Sequence, residues 1–397
     1  MGSQTNNITD EIPFEIPSNW FWCRLKHIGE IVGGGTPSTA VKEYWFNGSI
    51  VWITPKNMSK LKTNYIIDSD RKITLKGLQN SSTKLMPPDS IIMSSRAPIG
   101  YIAINKVPAC TSQGCKSVVP YLSNMSEFLL YIIKSSINRI ISASSGTTFD
   151  EISGTEFSNI LIPLAPINEQ IRIVKQIDET LKLLRNISEE YKSIQELVTV
   201  TKSKILDSFF SENSSYKSYY KPTISTNLSE LIPNDNIGDG DWVLTENMDE
   251  NGNYSLIQLK HVGYGQYIEK PYKHVNQSFF ETNNCKEIKE DYILINRLIA
   301  DKMNVCILPQ KGFKCITAVD ICWIAPSQTY NQKYIMYYLM SPTFQNKVKM
   351  ITSGTTRKRI SKTNLIKIPM LIHEHNYQSK IVEEIENAFK ILDSIVS

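Results

Sequence analysis

The sequence contains no run of 18 apolar residues and no leader in which charged residues precede an apolar stretch. A membrane-spanning helix and a secretory signal are therefore not expected. It also lacks any C-x-x-C pair, and its seven cysteines are an odd number, a pattern typical of a reducing compartment. We expect a soluble cytoplasmic protein whose cysteines are small buried hydrophobic residues.

Signatures of nucleotide binding and catalysis are missing as well. The glycines at 33–35 do not form G-x-G-x-x-G, and no G-x-x-x-x-G-K-[ST] loop is present, so neither dinucleotide binding nor ATP hydrolysis is expected. Five histidines assemble no Ser-His-Asp set. The string EIK (287–289) is too short to indicate a nuclease site. The string HEH (373–375) predicts the start of a helix rather than a metal site.

The composition is that of a globular protein of about two domains. Of 397 residues, 41% are hydrophobic and 21% charged, which is enough to bury sizeable cores. The formal net charge of +4 permits a nucleic-acid partner but does not by itself argue for one.

An internal repeat with an offset of 208 residues organises the chain. The string SGTT occurs at 145–148 and again at 353–356, and each copy precedes a similar tail, FDEISGTEFSNILIPL and RKRISKTNLIKIPM. Looser matches precede them in the same order at offsets of about 200 to 208. Both copies alternate β-branched and aromatic runs with Gly, Asn, Pro and Ser clusters and then turn helical, which predicts an α+β module of small sheets in each.

A long helix is predicted between the two copies. From Asn168 to Phe210 the sequence has neither Gly nor Pro, and apolar residues recur at spacings of three, four or seven. A second amphipathic helix, about half as long, is predicted near the C-terminus. The predicted seam residues are Val174, Ile177, Leu181, Leu184, Tyr191, Val198 and Ile205 in the first helix and Val382, Ile385, Phe389 and Leu392 in the second.

At this point the residues resemble a known family. The run IPLAPINEQIRIVKQID (162–178) resembles the module-to-helix junction of DNA specificity subunits of Type I restriction-modification systems. The segments GGGTPSTAVKEYWFNGSIVWIT (33–54) and SSRAPIG (94–100), together with the two SGTT strings, fit the same family. The second copy departs from the pattern at its start, where it has GDGDWV (238–243), and at its junction IPMLIHEHNYQ (368–378).

The resemblance implies a fold, a set of domain boundaries and a function for each domain. It implies two α/β target recognition domains in tandem, separated and followed by long helices that pair as an antiparallel coiled coil. The expected boundaries are a flexible segment at 1–15, recognition domains at 16–165 and 213–372, a spacer helix at 166–212 and a C-terminal helix at 373–397. Each domain would recognise one half of a bipartite site on double-stranded DNA.

The resemblance also implies partner proteins that carry out the chemistry. The nearest string to an amino-methyltransferase loop is MPPD (86–89), which lacks the required amide or acid and the aromatic residue, and it predicts a loop before a strand. Modification subunits with S-adenosylmethionine and an ATP-dependent restriction and translocase subunit are the expected partners, with neither cofactor nor metal bound by this chain.

Candidate DNA contacts are charged, amide and hydroxyl side chains in predicted loops, because Lys and Arg neutralise phosphates and Arg, Asn and Gln bind base edges. They are Thr36, Ser38, Lys42, Lys56, Asn57, Lys60, Arg96, Ser112, Gln113 and Thr147 in the first copy, and Lys260, His261, Asn296, Arg297, Lys302, Thr355, Arg357, Lys358 and Arg359 in the second.

Two other functions stay open at the level of sequence. The alternatives to a DNA specificity subunit are a coiled-coil adaptor that recruits proteins without DNA and a fragment of a single-chain restriction-methyltransferase. The missing methyltransferase motifs count against the second of these.

Overall fold

A computed structural model describes residues 8, 11–96, 98–144, 151–211, 222–352 and 358–397. Both SGTT strings, and with them the predicted contacts Thr147, Thr355 and Arg357, lie outside these described residues. The chain divides into two compact units, Met1–Asn186 and Ile187–Ser397. Each unit contains one copy of the repeat, and the division falls within the long central helix.

The first unit is an α+β module of short strands and helices. Its strands are β1 Phe21–Arg24, β2 Gly29–Gly33, β3 Ile50–Ile53, β4 Tyr65–Ile66, β5 Lys72–Ile73, β6 Ile91–Ser94, β7 Ile102–Asn105, β8 Ala109–Thr111, β9 Cys115–Pro120 and β10 Leu161–Leu164. Its helices are α1 Pro55–Met58, α2 Leu75–Gln79, α3 Ser126–Ser144, α4 Gly154–Ser158 and the beginning of α5, Ile167–Phe210.

These strands form small sheets, as predicted. A five-stranded sheet has the order β2-β9-β6-β7-β4, and a three-stranded sheet has the order β5-β3-β8. In the smaller sheet β3 runs parallel to β8 and antiparallel to β5. Strands β1 and β10 pair antiparallel as a ribbon, so the first and last strands of the module lie side by side.

Helix α3 supplies much of the core of this unit. Its residues Phe128, Leu129 and Ile133 are at most 1% exposed and belong to the same apolar cluster as Ile91 of β6 and Val118 of β9. Burying a side chain of this size stabilises the fold by about 1.5–3 kcal/mol relative to leaving it in water. Helix α3 is the helical stretch that the sequence predicted toward the end of the first copy.

The second unit repeats the same elements. Its strands are β11 Pro222–Thr226, β12 Ile237–Asp239, β13 Tyr254–Ile257, β14 Lys273–Val275, β15 Ile293–Asn296, β16 Leu298–Ile299, β17 Val305–Ile307, β18 Lys314–Thr317, β19 Ile321–Ile324, β20 Lys358–Arg359 and β21 Met370–His373. Its helices are the end of α5, α6 Leu228–Leu231, α7 Gln277–Thr282, α8 Gln332–Met340, α9 Pro342–Ile351, α10 Lys362–Ile366 and α11 His375–Val396.

Sheet topology confirms that the two units are copies of one fold. The order β12-β19-β15-β17 corresponds to β2-β9-β6-β7, and β14-β13-β18 corresponds to β5-β3-β8, again with one parallel and one antiparallel pair. Strands β11 and β21 pair antiparallel as β1 and β10 do. A residue with a left-handed backbone conformation precedes the equivalent strands β6 and β15, since Asp89 and Asp291 both have a φ of 66°.

The end of α5 and the whole of α11 pack antiparallel within the second unit. Tyr191 Oη donates to the carbonyl oxygen of Val396 at 2.7 Å, and Lys202 Nζ lies 2.5 Å from Asp393 Oδ1. Lys202 Nζ also lies 5.0 Å from the centroid of the Phe389 ring, further back along α11. Contacts that run from 191 with 396 to 202 with 389 fit the predicted antiparallel pairing in this unit.

The predicted seam is buried unevenly along α5. Val174 packs on the core of the first unit and Ile177 is half-buried. Leu181 and Leu184 are 39% and 56% exposed, whereas Val198 is 8% exposed. On α11, Val382 and Ile385 are buried and Phe389 and Leu392 are half-buried, while Ile205 packs against the core of the second unit.

The structure bears on two expectations from the sequence, that the cysteines are buried and that no helix spans a membrane. All seven cysteines, which lie in the described part of the chain, are free thiols, and six of them are buried. Burial raises the pKa of Cys322 to about 12, so this thiol is unreactive at neutral pH. Among the helices described, none combines the length and the apolar character needed to cross a membrane.

Candidate nucleic-acid interface

In the first unit a set of backbone hydrogen bonds joins five loops where the two sheets meet. We call these bonds the strand-end network. They are Gly34 N to Cys115 O, Gly35 N to Thr111 O, Ser112 N to Ile53 O, Cys115 N to Ser112 O, Ser95 N to Gly114 O and Ile152 N to Ser95 O, at 2.8–3.3 Å. Backbone groups buried in a protein need such partners, so the network fixes how the loops lie against one another.

The second unit contains the same strand-end network. Its bonds are Gly240 N to Ile321 O, Asp241 N to Thr317 O, Ala318 N to Ile257 O, Ile321 N to Ala318 O, Arg297 N to Asp320 O and Ile360 N to Arg297 O, at 2.8–3.1 Å. Every bond has its counterpart in the first unit at an offset between 202 and 208 residues. The two modules therefore present their loops on one common backbone framework.

The glycine-rich start of each copy belongs to this framework. A methyl group placed on Gly34 would overlap the carbonyl oxygen of Ser112, and one placed on Gly240 would overlap the carbonyl oxygen of Ala318. GDGDWV (238–243) thus occupies the place that VGGGTP (32–37) occupies in the first copy. The departure seen in the sequence concerns side chains, because the backbone position is the same in both copies and requires glycine only at the point of close approach.

Charged side chains of the first unit gather around this network. Arg96 NH1 lies 3.7 Å from one carboxylate oxygen of Glu151, and Lys116 Nζ lies 3.7 Å from the other. Lys116 Nζ also lies 3.5 Å from Ser95 Oγ. Arg96 and Glu151 are about 40% exposed, so this cluster is open to solvent. It offers both donors and acceptors to a polar ligand.

Different charges occupy the same region of the second unit. Arg297 is only 4% exposed; its Nε lies 3.1 Å from Asp239 Oδ1, and its NH2 donates to the carbonyl oxygen of Val319 at 2.5 Å. Arg359 NH2 lies 2.8 Å from Asp320 Oδ1 and its side chain is 44% exposed. Burial raises the pKa of the Asp239 carboxyl, although Arg297 acts in the opposite direction.

Two predicted DNA contacts instead cap the turns that follow β3 and β13. Asn57 Oδ1 accepts from the backbone nitrogen of Thr54 at 3.0 Å, and His261 Nδ1 accepts from that of Gln258 at 2.8 Å. Asn57 is 9% exposed and His261 is fully buried. Both side chains therefore hold these turns in place, and a contact of either residue with DNA stays a prediction. Burial lowers the pKa of His261, which keeps the ring neutral.

The remaining candidates fall into three groups. Thr36 and Gln113 are exposed in loops of the network, and Lys56 is exposed beside it on α1. Ser112 is buried, Arg297 is engaged internally as described, and Asn296 Oδ1 accepts from the backbone nitrogen of Leu298. The others are not part of the network bonds: Ser38 and Lys42 are exposed, Lys60 pairs with Asp70, Lys260 donates to Pro271 O, Lys302 lies over the Tyr264 ring, and Lys358 is exposed on β20.

Sequence reasoning missed Lys116, Glu151, Asp239 and Asp320. One signal was present for Glu151, because the two tails after SGTT align it with Arg359 at an offset of 208. A charge reversal at an aligned position indicates that the two copies bind different groups there, once their backbones are known to be equivalent. No comparable signal marks the other three, because neighbours brought together by sheet pairing are distant in the chain.

Both halves of the chain match the model of one protein family. The model of the family described as Type I restriction modification DNA specificity domain matches residues 17–197 and again residues 188–395. The chain belongs to this family. The two matches cover the two units, and the resemblance drawn from the sequence is confirmed.

Curated relatives of this chain are named as specificity subunits of Type I restriction enzymes. The MjaIX specificity subunit of a Type I restriction enzyme from Methanocaldococcus jannaschii is 28% identical over 356 residues, covering 86% of this chain and 80% of the relative. The EcoR124I/EcoR124II specificity subunit from Escherichia coli is 36% identical over 174 residues, which is 42% of each chain.

Solved structures share the fold. A chain from a study of complex assembly and conformational transition of the type I R-M system superposes with a TM-score of 0.70 at 17% identity, covering 97% of this chain and 93% of that one. The HsdS subunit from Thermoanaerobacter tengcongensis gives a TM-score of 0.55 at 17% identity with the same coverage. At these identities the likeness concerns the fold alone.

Proposed function

We propose that this chain is the DNA specificity subunit of a Type I restriction-modification complex and that each unit recognises one half of a bipartite site on double-stranded DNA. Family membership supports recognition of a DNA sequence. One structural observation carries the bipartite part of the proposal: the same strand-end network occurs twice with different exposed charges attached. Two copies of one scaffold with different side chains are suited to binding two different short sequences.

The proposal assigns the chemistry to other proteins. The chain would direct modification subunits, which bind S-adenosylmethionine, and a restriction and translocase subunit, which uses ATP, to the DNA site. Within the described residues, no group of three or more His, Cys, Asp or Glu side chains is arranged to hold a metal ion. The free, buried thiols suit the reducing cytoplasm in which we place the complex.

Selection from random-sequence DNA at increasing salt concentrations tests DNA recognition by the whole chain. The full-length protein would be incubated with a pool of random-sequence DNA duplexes, and bound DNA sequenced after several rounds of selection at increasing salt. We expect enrichment of two short sequences separated by a gap of fixed length, and an affinity that falls steeply with salt because phosphate contacts release counterions.

The competing functions predict other results. A coiled-coil adaptor that acts without DNA would enrich no sequence and show no salt-dependent binding to duplex DNA. A fragment of a methyltransferase that retained its cofactor site would bind S-adenosylmethionine as an isolated chain, whereas a specificity subunit would not. Isothermal titration of the full chain with S-adenosylmethionine separates these two cases.

A further inference from the structure

Glu151 and Arg359 occupy the same position in the two copies of the fold. Arg96 forms an isolated antiparallel β-bridge with Glu151, and Leu298 of β16 pairs antiparallel with Arg359 of β20. The residue after each, Ile152 or Ile360, donates its backbone nitrogen to the strand-end network.

The chain after each residue is equivalent as well. Two residues beyond Glu151, the Ser153 side chain caps α4, and two residues beyond Arg359, the Ser361 side chain caps α10. At this position, therefore, the two modules differ in their side chain, while the backbone of the residue itself and of the residues that follow it is held alike.

Both side chains are partly exposed and are held by neighbours of opposite charge. The Glu151 side chain is 39% exposed, and the two cations beside it are 3.7 Å away, which is longer than a hydrogen bond. The two cations thus orient the carboxylate oxygens of Glu151 but leave them able to accept further hydrogen bonds. Arg359 is 44% exposed, and its contact with Asp320 engages one terminal nitrogen of a guanidinium that carries five N–H donors.

The sign of the charge at this position limits what each residue can bind on DNA. A carboxylate facing a duplex is repelled by phosphates, so Glu151 can face DNA favourably only where a base presents an N–H donor. In the major groove the cytosine N4 amino group is such a donor, and carboxylates accept from it. A guanidinium matches the O6 and N7 acceptors of guanine in two parallel hydrogen bonds.

We propose that position 151/359 determines sequence specificity in both modules, with Glu151 selecting a cytosine in one half-site and Arg359 selecting a guanine in the other. This inference rests on the proposed function. Arg96, Lys116 and Asp320 act as positioning residues that hold the selecting side chain. A swap of charge at one position on an unchanged scaffold is then sufficient to change the base that is preferred.

Selection from random duplexes with single variants of the full chain tests the inference. Glu151→Gln is nearly isosteric, and an amide prefers adenine because it can bond to both N6 and N7. We expect this variant to replace cytosine by adenine at one base pair of one half-site. Arg359→Lys keeps the charge but loses the two-pronged geometry. We expect its preference for guanine to weaken about tenfold to 100-fold at one base pair of the other half-site.

Matched controls lie away from the network. Glu30 is held by Lys84 at the same 3.7 Å, and Arg172 is held by Glu169 at 3.2 Å. Glu30→Gln and Arg172→Lys should leave both half-sites as they are in the unaltered protein. The half-site that a given variant is not expected to affect also serves as an internal test that the chain is folded.

Each outcome decides between the hypotheses. A changed preference confined to one base pair of one half-site supports the inference. A uniform loss of affinity with both half-sites unchanged would mean that position 151/359 contacts phosphates or supports the loops, and the inference would be wrong while the proposed function stands. The inference is equally wrong if either variant alters both half-sites or abolishes binding. If the unaltered chain enriches no sequence, the proposed function itself fails.

Discussion

The hydroxyl of Tyr334 shares a hydrogen bond with Nδ1 of His373 at 2.8 Å and accepts from the backbone nitrogen of the same histidine at 2.9 Å. This pair joins α8 to the end of β21, immediately before the C-terminal helix begins. His373 is 5% exposed, and burial lowers its pKa to about 4. The neutral ring is therefore part of the core of the second unit.

The second unit should lose stability as the pH falls from about 6.5 toward 4. In that range the unfolded chain binds a proton at His373 that the folded chain excludes, so stability is full above the unfolded pKa and declines below it. For this residue we expect a loss of about 2 kcal/mol at pH 5. Urea unfolding of the full chain at pH 7 and pH 5 measures the loss.

The variant His373→Gln isolates the contribution of the histidine. It should be less stable at pH 7 but should lose less between pH 7 and pH 5 than the unaltered chain does. Tyr334→Phe is the matched control, since it removes the hydroxyl but leaves the histidine buried. Identical pH dependence in the His373→Gln variant and the unaltered protein would contradict the assignment.

Two glutamines 208 residues apart fasten each module to the helix that follows it. Gln170 Nε2 donates to Ala165 O at 2.7 Å, and Gln378 Nε2 donates to His373 O at 3.0 Å. Gln378 Oε1 also accepts from the backbone nitrogen of Asn331 at 2.8 Å. Both glutamines are at most 3% exposed.

Replacing either glutamine by methionine keeps the volume and removes these bonds. We expect Gln170→Met to cost about 1 kcal/mol and Gln378→Met about 2–3 kcal/mol, because the latter leaves a second buried backbone group without its partner. Denaturant unfolding followed by circular dichroism measures both costs. Equal costs would show that the bond to Asn331 contributes nothing.

We expect the loss of the Arg297 side chain to lower the stability of the fold more than it weakens DNA binding. Arg297→Met leaves the Asp239 carboxylate and the Val319 carbonyl without their cation, which should lower the free energy of unfolding by about 2–4 kcal/mol. The measurement is urea unfolding combined with DNA binding at a temperature where the variant is folded. Unchanged stability with weakened binding would instead support the direct DNA contact predicted from the sequence.

The length of α5 should set the gap between the two half-sites. Residues 181–187 are all exposed and span two turns, so deleting them preserves the helical phase nearly unchanged. We expect the gap to shorten by about three base pairs, since seven residues rise about 10 Å, while the bases of both half-sites stay the same. Sequencing of methylated bases in a host that carries the complex checks this, and altered half-sites with an unchanged gap would refute it.

The parts of the fold that follow from periodicity were predictable. The repeat at an offset of 208 predicted two equivalent modules, and the absence of Gly and Pro after Pro166 predicted α5 to within one residue. These features depend on local pattern, so they can be read without knowing which strands pair. The uneven seam was less predictable, because Leu181 and Val198 belong to the same predicted seam but differ in what packs against them.

The candidate site was predictable only in part. Arg297 and His261 have the residue types of DNA contacts, yet both are buried, and burial depends on partners such as Asp239 and Gln258 that the fold supplies. The equivalence of GDGD (238–241) with VGGG (32–35) was also hidden, because the strand-end network uses backbone atoms and leaves little trace in the side chains. A network of main-chain bonds constrains sequence mainly where a glycine is required.

The ribbons β1–β10 and β11–β21 have a consequence for how such proteins change over time. In each module the chain enters and leaves through two neighbouring strands, so a module behaves as a closed insertion between its flanking segments. Genetic recombination at those two points could replace a whole module while the helices and the other module keep their structure. A lineage can therefore acquire a new half-site in one event, in addition to changing single bases through residues such as Glu151.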